Sequence, residues 1–84
     1  MDDEGWIEKI RGYIDLGMLE EAWREIGHLP SEKRSSAIAQ EMRIIIELDR
    51  SHIKEALALS EILADLHPDN PAGFIQGAYC LHAL

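Results

Sequence analysis

The chain resembles itself at a fixed interval. Ala22 and Ala56 lie 34 positions apart, and the segment Leu-Glu-Glu-Ala-Trp around the first aligns with Ile-Lys-Glu-Ala-Leu around the second. Trp6 and Phe74 are separated by 68 positions, which is twice that interval. A unit of this length cannot bury its apolar face alone, so such units stack and share a core. The repeat therefore predicts a stack of similar units.

Each unit is predicted to be a pair of helices, because apolar residues recur at helical spacing and no segment sustains the alternation of a strand. The chain is therefore expected to be all-α, with about five helices. We place them over residues 3–16, 18–26, 36–49, 51–66 and 70–84.

Specific residues mark the ends of these helices. Gly17 interrupts a strongly helical segment and predicts a tight turn with positive φ. Ser51 is interpreted as an N-cap, as is Asn70, which precedes Pro71 at a favoured first helical position. Residues 31–35 are polar and are predicted to form a connection.

Length and charge restrict the kinds of protein this can be. With 84 residues the chain is expected to be one domain, residues 1–84, too small for a deep catalytic cleft. A formal net charge of −8 disfavours nucleic acid and anionic membranes as partners. The acidic residues 2–4 predict no secretory signal, and the longest aliphatic run, residues 44–46, cannot span a bilayer. With only one cysteine, Cys80, the expected location is cytoplasmic.

The interval and its residues resemble the tetratricopeptide repeat, whose two-helix unit carries the pattern W-x2-L-G-x2-Y, A-x3-F, P. The matching residues are Trp6, Tyr13, Gly17, Ala22 and Ile26 in the first unit, Ala56 and Pro68 in the second, and Phe74, Ala78 and Leu81 in the third. Departures from the pattern are Lys9, Ile10, Gln40, Glu47 and Ser60.

The resemblance implies a right-handed α-α superhelix of antiparallel helix pairs. It divides the chain into a first repeat over about 3–35, a second over about 36–69 and a half repeat over 70–84. In such a solenoid the first helices of successive units line a concave surface.

No pattern of catalytic residues is present. The sequence contains no phosphate-binding glycine loop, nucleophile elbow or HExxH motif, and the paired acids at 2–3 and 20–21 are interpreted as solvated helix starts. Cys80 and His82 point in different directions around a helix, so they cannot both ligate one metal. The other histidines lie at predicted helix ends, namely His28, His52 and His67. We expect no enzyme activity, metal or cofactor.

The family resemblance instead implies binding of another protein or peptide in the concave groove. The inward-facing positions of the family map onto Ile7, Arg11, Ile14, Glu41, Ile45, Leu48, Ile75, Tyr79 and His82. Since Arg11 is the only Lys or Arg among them, the groove disfavours a carboxylate clamp and favours an apolar helix or extended segment. The simpler interpretation is that some of these residues only pack between repeats.

Three functions of different kinds follow: an adaptor or scaffold module, a small acidic export-type chaperone, and a self-assembling structural unit. The last rests on the fifth helix, which lacks the second helix of its unit. A homodimer through this helix is predicted to bury Phe74, Leu81 and Leu84.

Overall fold

The computed structural model describes residues 5–84, which form helices and short connections with no strand among them. The helices in this range are α1 Gly5–Asp15, α2 Leu19–Gly27, α3 Ser31–Arg34, α4 Ala37–Asp49, α5 Ile53–Leu66 and α6 Ala72–Ala83. The all-helical prediction is confirmed, whereas the right-handed superhelix stays a prediction. The predicted helix start at residue 3 and the acidic pair 2–3 lie outside the described residues.

The prediction that residues 31–35 form only a connection is wrong, because this segment contains the one-turn helix α3. The described helices therefore number six rather than five. The Pro30 carbonyl accepts hydrogen bonds from the N–H groups of Lys33 (2.9 Å) and Arg34 (3.0 Å). The Ser35 hydroxyl donates to the Ser31 carbonyl at 3.0 Å. These local bonds form a turn that has no apolar periodicity, so hydrophobic spacing did not reveal it.

Gly17 ends α1 in the predicted left-handed conformation, with φ of 76°. The Met18 N–H donates to the Tyr13 carbonyl at 2.8 Å, and the Gly17 N–H donates to the Ile14 carbonyl at 3.0 Å. These two bonds form a Schellman motif. The turn returns the chain so that α2 packs against α1.

The same turn recurs one repeat interval later, between α4 and α5. Ser51 has φ of 64°, its N–H donates to the Leu48 carbonyl at 3.0 Å, and the His52 N–H donates to the Glu47 carbonyl at 2.8 Å. The next residue also matches, since φ and ψ are −85° and 66° at Met18 and −88° and 68° at His52. The prediction of Ser51 as N-cap is therefore wrong: His52 holds that position, and Ser51 is the left-handed residue that ends α4.

The predicted capping contact of Asn70 is present, but the predicted positions are one residue off: Pro71 holds the N-cap position and α6 begins at Ala72. The Asn70 side-chain oxygen accepts the Ala72 N–H at 2.9 Å, and Pro71 has φ and ψ of −71° and −10° immediately before the regular helix. At the start of α4, the Ser36 hydroxyl accepts the Ala39 N–H at 3.3 Å. These caps satisfy backbone donors that have no partner within the helix.

Two apolar clusters form the core. The first joins α1, α2 and α4 through the buried residues Ile10, Ala22, Ile26, Met42 and Ile46. The second joins α4, α5 and α6 through the buried residues Ile44, Ala56, Leu63 and Cys80. Ala22 and Ala56, the pair that reveals the repeat, thus hold corresponding places in successive clusters, where small side chains permit close helix packing.

Gln40 and Glu47, two polar residues of α4, are buried, and each makes at least one polar contact. Gln40 donates through Nε2 to the Arg34 carbonyl at 3.0 Å, which ties α3 to α4. The Glu47 carboxylate contacts Arg50 at 3.3 Å and His52 at 3.4 Å. Arg50 also contacts Glu20 of α2 at 2.9 Å. These contacts offset part of the cost of burying the two side chains, although the buried Oε1 of Gln40 has no hydrogen-bond partner within residues 5–84.

The most extensive helix contact, between α5 and α6, depends on a glycine. A Cβ added to Gly73 would lie 2.6 Å from the backbone nitrogen of Ala64 and 2.9 Å from its Cα. One turn later, a Cβ on Gly77 would lie an ordinary 3.7 Å from the Cβ of Ser60. The small residues let the two helices approach closely, and a groove lies along their junction.

Candidate protein-binding surface

Helix α6 is apolar and largely uncovered, although the chain as a whole is acidic. Residues 70–84 contain no Asp, Glu, Lys or Arg. The exposed fractions of its large apolar side chains are 59% for Phe74, 62% for Ile75, 57% for Tyr79 and 65% for Leu81. A helix that is apolar around most of its circumference is normally buried. This concentration of exposed apolar side chains marks α6 as a candidate binding surface.

The repeat explains why one face of α6 is uncovered. Ile10, Ile44 and Ala78 occupy the same position in helices that are separated by successive repeat intervals. Ile10 of α1 is 1% exposed and Ile44 of α4 is 0% exposed, because α2 and α5 respectively pack against those helices. Ala78 of α6 is exposed, since no described helix follows α6 to cover it.

This uncovered face forms one wall of a groove of about 430 Å³, which we call the α5–α6 groove. Small residues form much of its lining, and larger apolar side chains flank them. The lining from α5 consists of Leu57, Ser60, Glu61, Ala64 and Asp65, and that from α6 of Gly73, Phe74, Gly77, Ala78 and Leu81. An apolar groove is a common receptor for the apolar face of an amphipathic helix.

The charge of the α5–α6 groove is negative. Glu61 and Asp65 are its charged lining residues, both are exposed, and they stand four positions apart on α5. Within residues 5–84 neither carboxylate has a Lys, Arg or His nitrogen within 4.0 Å. Like charges at this helical spacing repel each other, so a cation at this edge would be stabilising.

The structure places the predicted concave-groove residues in differing environments. Ile7 is buried, and Ile14 and Leu48 are half-buried and pack against the first and second core clusters respectively. The interpretation that some of them serve packing therefore holds for these three. Glu41 is half-buried, whereas the others are exposed, namely Arg11, Ile45, Ile75, Tyr79 and His82.

The predicted interface residues are all exposed, and two of them share one surface. Phe74 and Leu81 both line the α5–α6 groove, whereas Leu84 lies beyond the end of α6 and outside the groove lining. Sequence reasoning missed the α5 side of this groove. The signal available for it was the small-residue spacing of Ala56, Ser60 and Ala64 opposite Gly73 and Gly77.

Two arginine side chains lie against the ring of Trp23, away from the α5–α6 groove. The guanidinium carbons of Arg43 and Arg50 lie 5.3 and 5.5 Å from the centre of a Trp23 ring. Burial lowers the pKa of Arg43, and the positive charge of Arg34 adds to that lowering. These contacts link α2 to α4 by cation–π attraction and account for the position of Trp23 through packing.

Other kinds of site have no support in the described range. Residues 5–84 contain no group of three His, Cys, Asp or Glu side chains placed to hold a metal ion. Cys80 is buried while His82 is exposed, which confirms that they lie on different sides of α6. No helix in this part of the chain has the length and apolar character required to cross a membrane.

Comparison with known proteins gives no relative from which a function could be transferred: no protein-family model, curated protein or solved structure matches this chain.

Proposed function

We propose that this chain is a non-enzymatic protein-interaction module of the tetratricopeptide type, acting as an adaptor or scaffold that binds a partner segment on the apolar surface of α6. The observation that carries the proposal is the exposure of Phe74, Ile75, Tyr79 and Leu81 on a helix without charged side chains. Burying one side chain of this size is worth about 1.5–3 kcal/mol, so a partner that covers several of them would gain substantial binding free energy.

The repeat assignment is supported by recurrence of both sequence and local geometry. Gly17 and Ser51 end successive helices with the same left-handed turn, and Ala22 and Ala56 are buried at equivalent points of the following helices. In repeat proteins of this kind, each unit presents surface to its neighbour and to ligands. The third unit is represented here by α6 alone, which leaves its surface open.

The partner is expected to be a protein segment with an apolar face. Ile45, Ile75 and Tyr79, three of the predicted groove residues, are exposed and contribute apolar surface, and Arg11 is the only Lys or Arg in that predicted set. This composition favours apolar contact over capture of a carboxylate.

The test is affinity capture from the native lysate with three baits: the natural chain, Phe74→Glu and Leu16→Glu. Leu16 is an exposed apolar residue at the end of α1, remote in sequence from α6, and provides a matched control. We expect mass spectrometry to find a protein retained by the natural chain and by Leu16→Glu but lost with Phe74→Glu. Equal retention by all three equally folded baits would contradict the proposal.

Two alternative functions use the same surface. A small acidic export-type chaperone would cover an apolar segment of a secreted client, and a captured client that is itself exported would favour it. A self-assembling unit would pair α6 with a second copy through Phe74, Leu81 and Leu84, all exposed here. Self-association has a specific observation in its favour, the absence of charge from residues 70–84.

A further inference from the structure

We propose that the α5–α6 groove binds an amphipathic helix whose apolar stripe is flanked by lysine or arginine side chains. This inference rests on the proposed function, because it names the chemistry of the partner that such a module would take. The shape of the groove, its charge and its place in the repeat each support it.

The place in the repeat indicates a helix as the occupant. In the sequence, α4 lies one repeat interval after α1, and α6 lies one interval after α4. The helix that covers α4, α5, likewise lies one interval after α2, which covers α1. The next covering helix would lie against α6. In the second core cluster, α5 buries Ile44 with residues such as Ala56 and Leu63. A bound helix would bury the equivalent Ala78 in the same manner.

The lining of the groove suits the apolar stripe of such a helix. Gly77 and Ala78 leave space along the middle, while Leu57, Phe74 and Leu81 provide larger apolar surface. Side chains spaced at i, i+3, i+4 and i+7 on one helix can enter between the ridges of another. A leucine stripe would therefore meet both the small and the large residues of the lining.

The charge at the edge selects among amphipathic helices. Glu61 and Asp65 are exposed, four positions apart, and have no cationic partner within residues 5–84. Lysines or arginines beside the apolar stripe of the ligand would pair with them and relieve their mutual repulsion. An acidic helix would add repulsion at the same place.

This charge also favours a different protein over a second copy. A copy presenting α6 would bring no Lys or Arg to Glu61 and Asp65, because residues 70–84 have none. Two chains each of net charge −8 also repel at long range. A basic amphipathic helix has neither disadvantage.

The experiment compares two labelled helical peptides by fluorescence anisotropy at low salt. Both carry leucines at i, i+4, i+7 and i+11, and the flanking positions are lysine in one and glutamate in the other. We expect the lysine peptide to bind the natural chain roughly tenfold more tightly, because two surface charge pairs contribute on that order. Phe74→Ala should weaken its binding several-fold, since the apolar contact is lost.

A charge-swap variant with a matched control separates the effect of the groove charge on peptide binding from the effect of the net charge of the chain. Glu61→Lys/Asp65→Lys should reverse the preference, so that the glutamate peptide binds more tightly. Asp15→Lys/Asp49→Lys changes the net charge by the same amount at exposed residues that end α1 and α4, where cations suit the helix dipole. This control should keep the preference for the lysine peptide.

Several results would overturn the inference. One is that Glu61→Lys/Asp65→Lys still prefers the lysine peptide. Another is that Asp15→Lys/Asp49→Lys prefers the glutamate peptide. The third is that the natural chain forms a stable dimer through the groove and binds neither peptide. If neither peptide binds while the lysate partner is still lost with Phe74→Glu, this inference fails and the proposed function stands. If no lysate partner depends on Phe74 but the lysine peptide binds as described, the groove chemistry stands and the adaptor function fails.

Discussion

Gly17 and Ser51, one repeat interval apart, hold the same left-handed position in the same helix-ending turn, with φ of 76° and 64°. In both turns the following N–H bonds back to a carbonyl five positions earlier at 2.8 Å. Only one of the two residues is a glycine, so the backbone geometry recurs where the sequence does not. The repeat interval is thus a property of the chain path as well as of the sequence.

The first prediction follows from this difference. Ser51→Gly should raise the free energy of unfolding by about 0.5 kcal/mol, because the left-handed cost of roughly 1–2 kcal/mol for a non-glycine residue exceeds the added chain entropy of glycine. Gly17→Ala should lower it by about 0.5–1 kcal/mol, although an added Cβ would meet no atom within 4 Å. Urea denaturation measures both changes.

Gly12→Ala is the control for this pair. Gly12 lies within α1, and a Cβ there also meets nothing within 4 Å, so alanine should stabilise the helix by about 1 kcal/mol. A destabilised Ser51→Gly, or a Gly17→Ala as stable as the natural chain, would contradict the role assigned to the turn.

The close approach of α5 and α6 gives the second prediction. Gly73→Ala should lower the free energy of unfolding by about 1–3 kcal/mol, because its Cβ would lie 2.6 Å from the Ala64 backbone nitrogen and the helices would have to separate. Gly77→Ala, with its nearest neighbour at 3.7 Å, should be neutral or stabilising. Equal effects in denaturant titrations of the two variants would show that the α5–α6 spacing is not set at Gly73.

The third prediction concerns Ile45 and Tyr79, which the family resemblance assigns to the proposed concave groove. Ile45 is 38% exposed, so Ile45→Glu should cost less than about 1 kcal/mol of folding stability while weakening partner binding at least tenfold. Tyr79→Ala should behave similarly. The control is Ile44→Ala, at the fully buried neighbouring position, which should cost about 2–5 kcal/mol. A loss of folding stability from Ile45→Glu as large as that from Ile44→Ala would place Ile45 in the core.

The fourth prediction tests the self-association alternative. If the self-association alternative is correct, exposed Phe74, Leu81 and Leu84 pair in a dimer through α6 at high micromolar concentration when no partner is present. Light scattering coupled to size exclusion should then give twice the chain mass, and Leu81→Glu should restore the monomer. A monomer throughout, or a dimer insensitive to Leu81→Glu, would remove this alternative.

Much of the fold could be predicted because helix ends depend on nearby residues. Asn70 accepts the first N–H of α6 and Gly17 ends α1 through contacts within a few positions, and each contact was identifiable from residue type. Ser51 was misinterpreted, because serine is a common N-cap and only the path of the whole turn places it in the left-handed region. The helix α3 was missed since it has no apolar stripe.

The candidate site was harder to predict because it combines residues from two helices. The apolar character of α6 was visible in Phe74, Leu81 and Leu84. The contribution of Glu61 and Asp65 depends on the close approach at Gly73, which sequence spacing alone does not position. The charge of the groove, and therefore the chemistry of its proposed ligand, follows only from the tertiary arrangement.

The most direct test of binding at α6 uses Phe74, the only phenylalanine in the chain. Incorporation of 4-fluorophenylalanine gives a single fluorine resonance from the wall of the α5–α6 groove. On addition of the captured partner, under conditions where light scattering shows complex formation, we predict that this resonance shifts and broadens as the ring is buried. An unchanged resonance in the fully formed complex would contradict the claim that the partner binds on this surface.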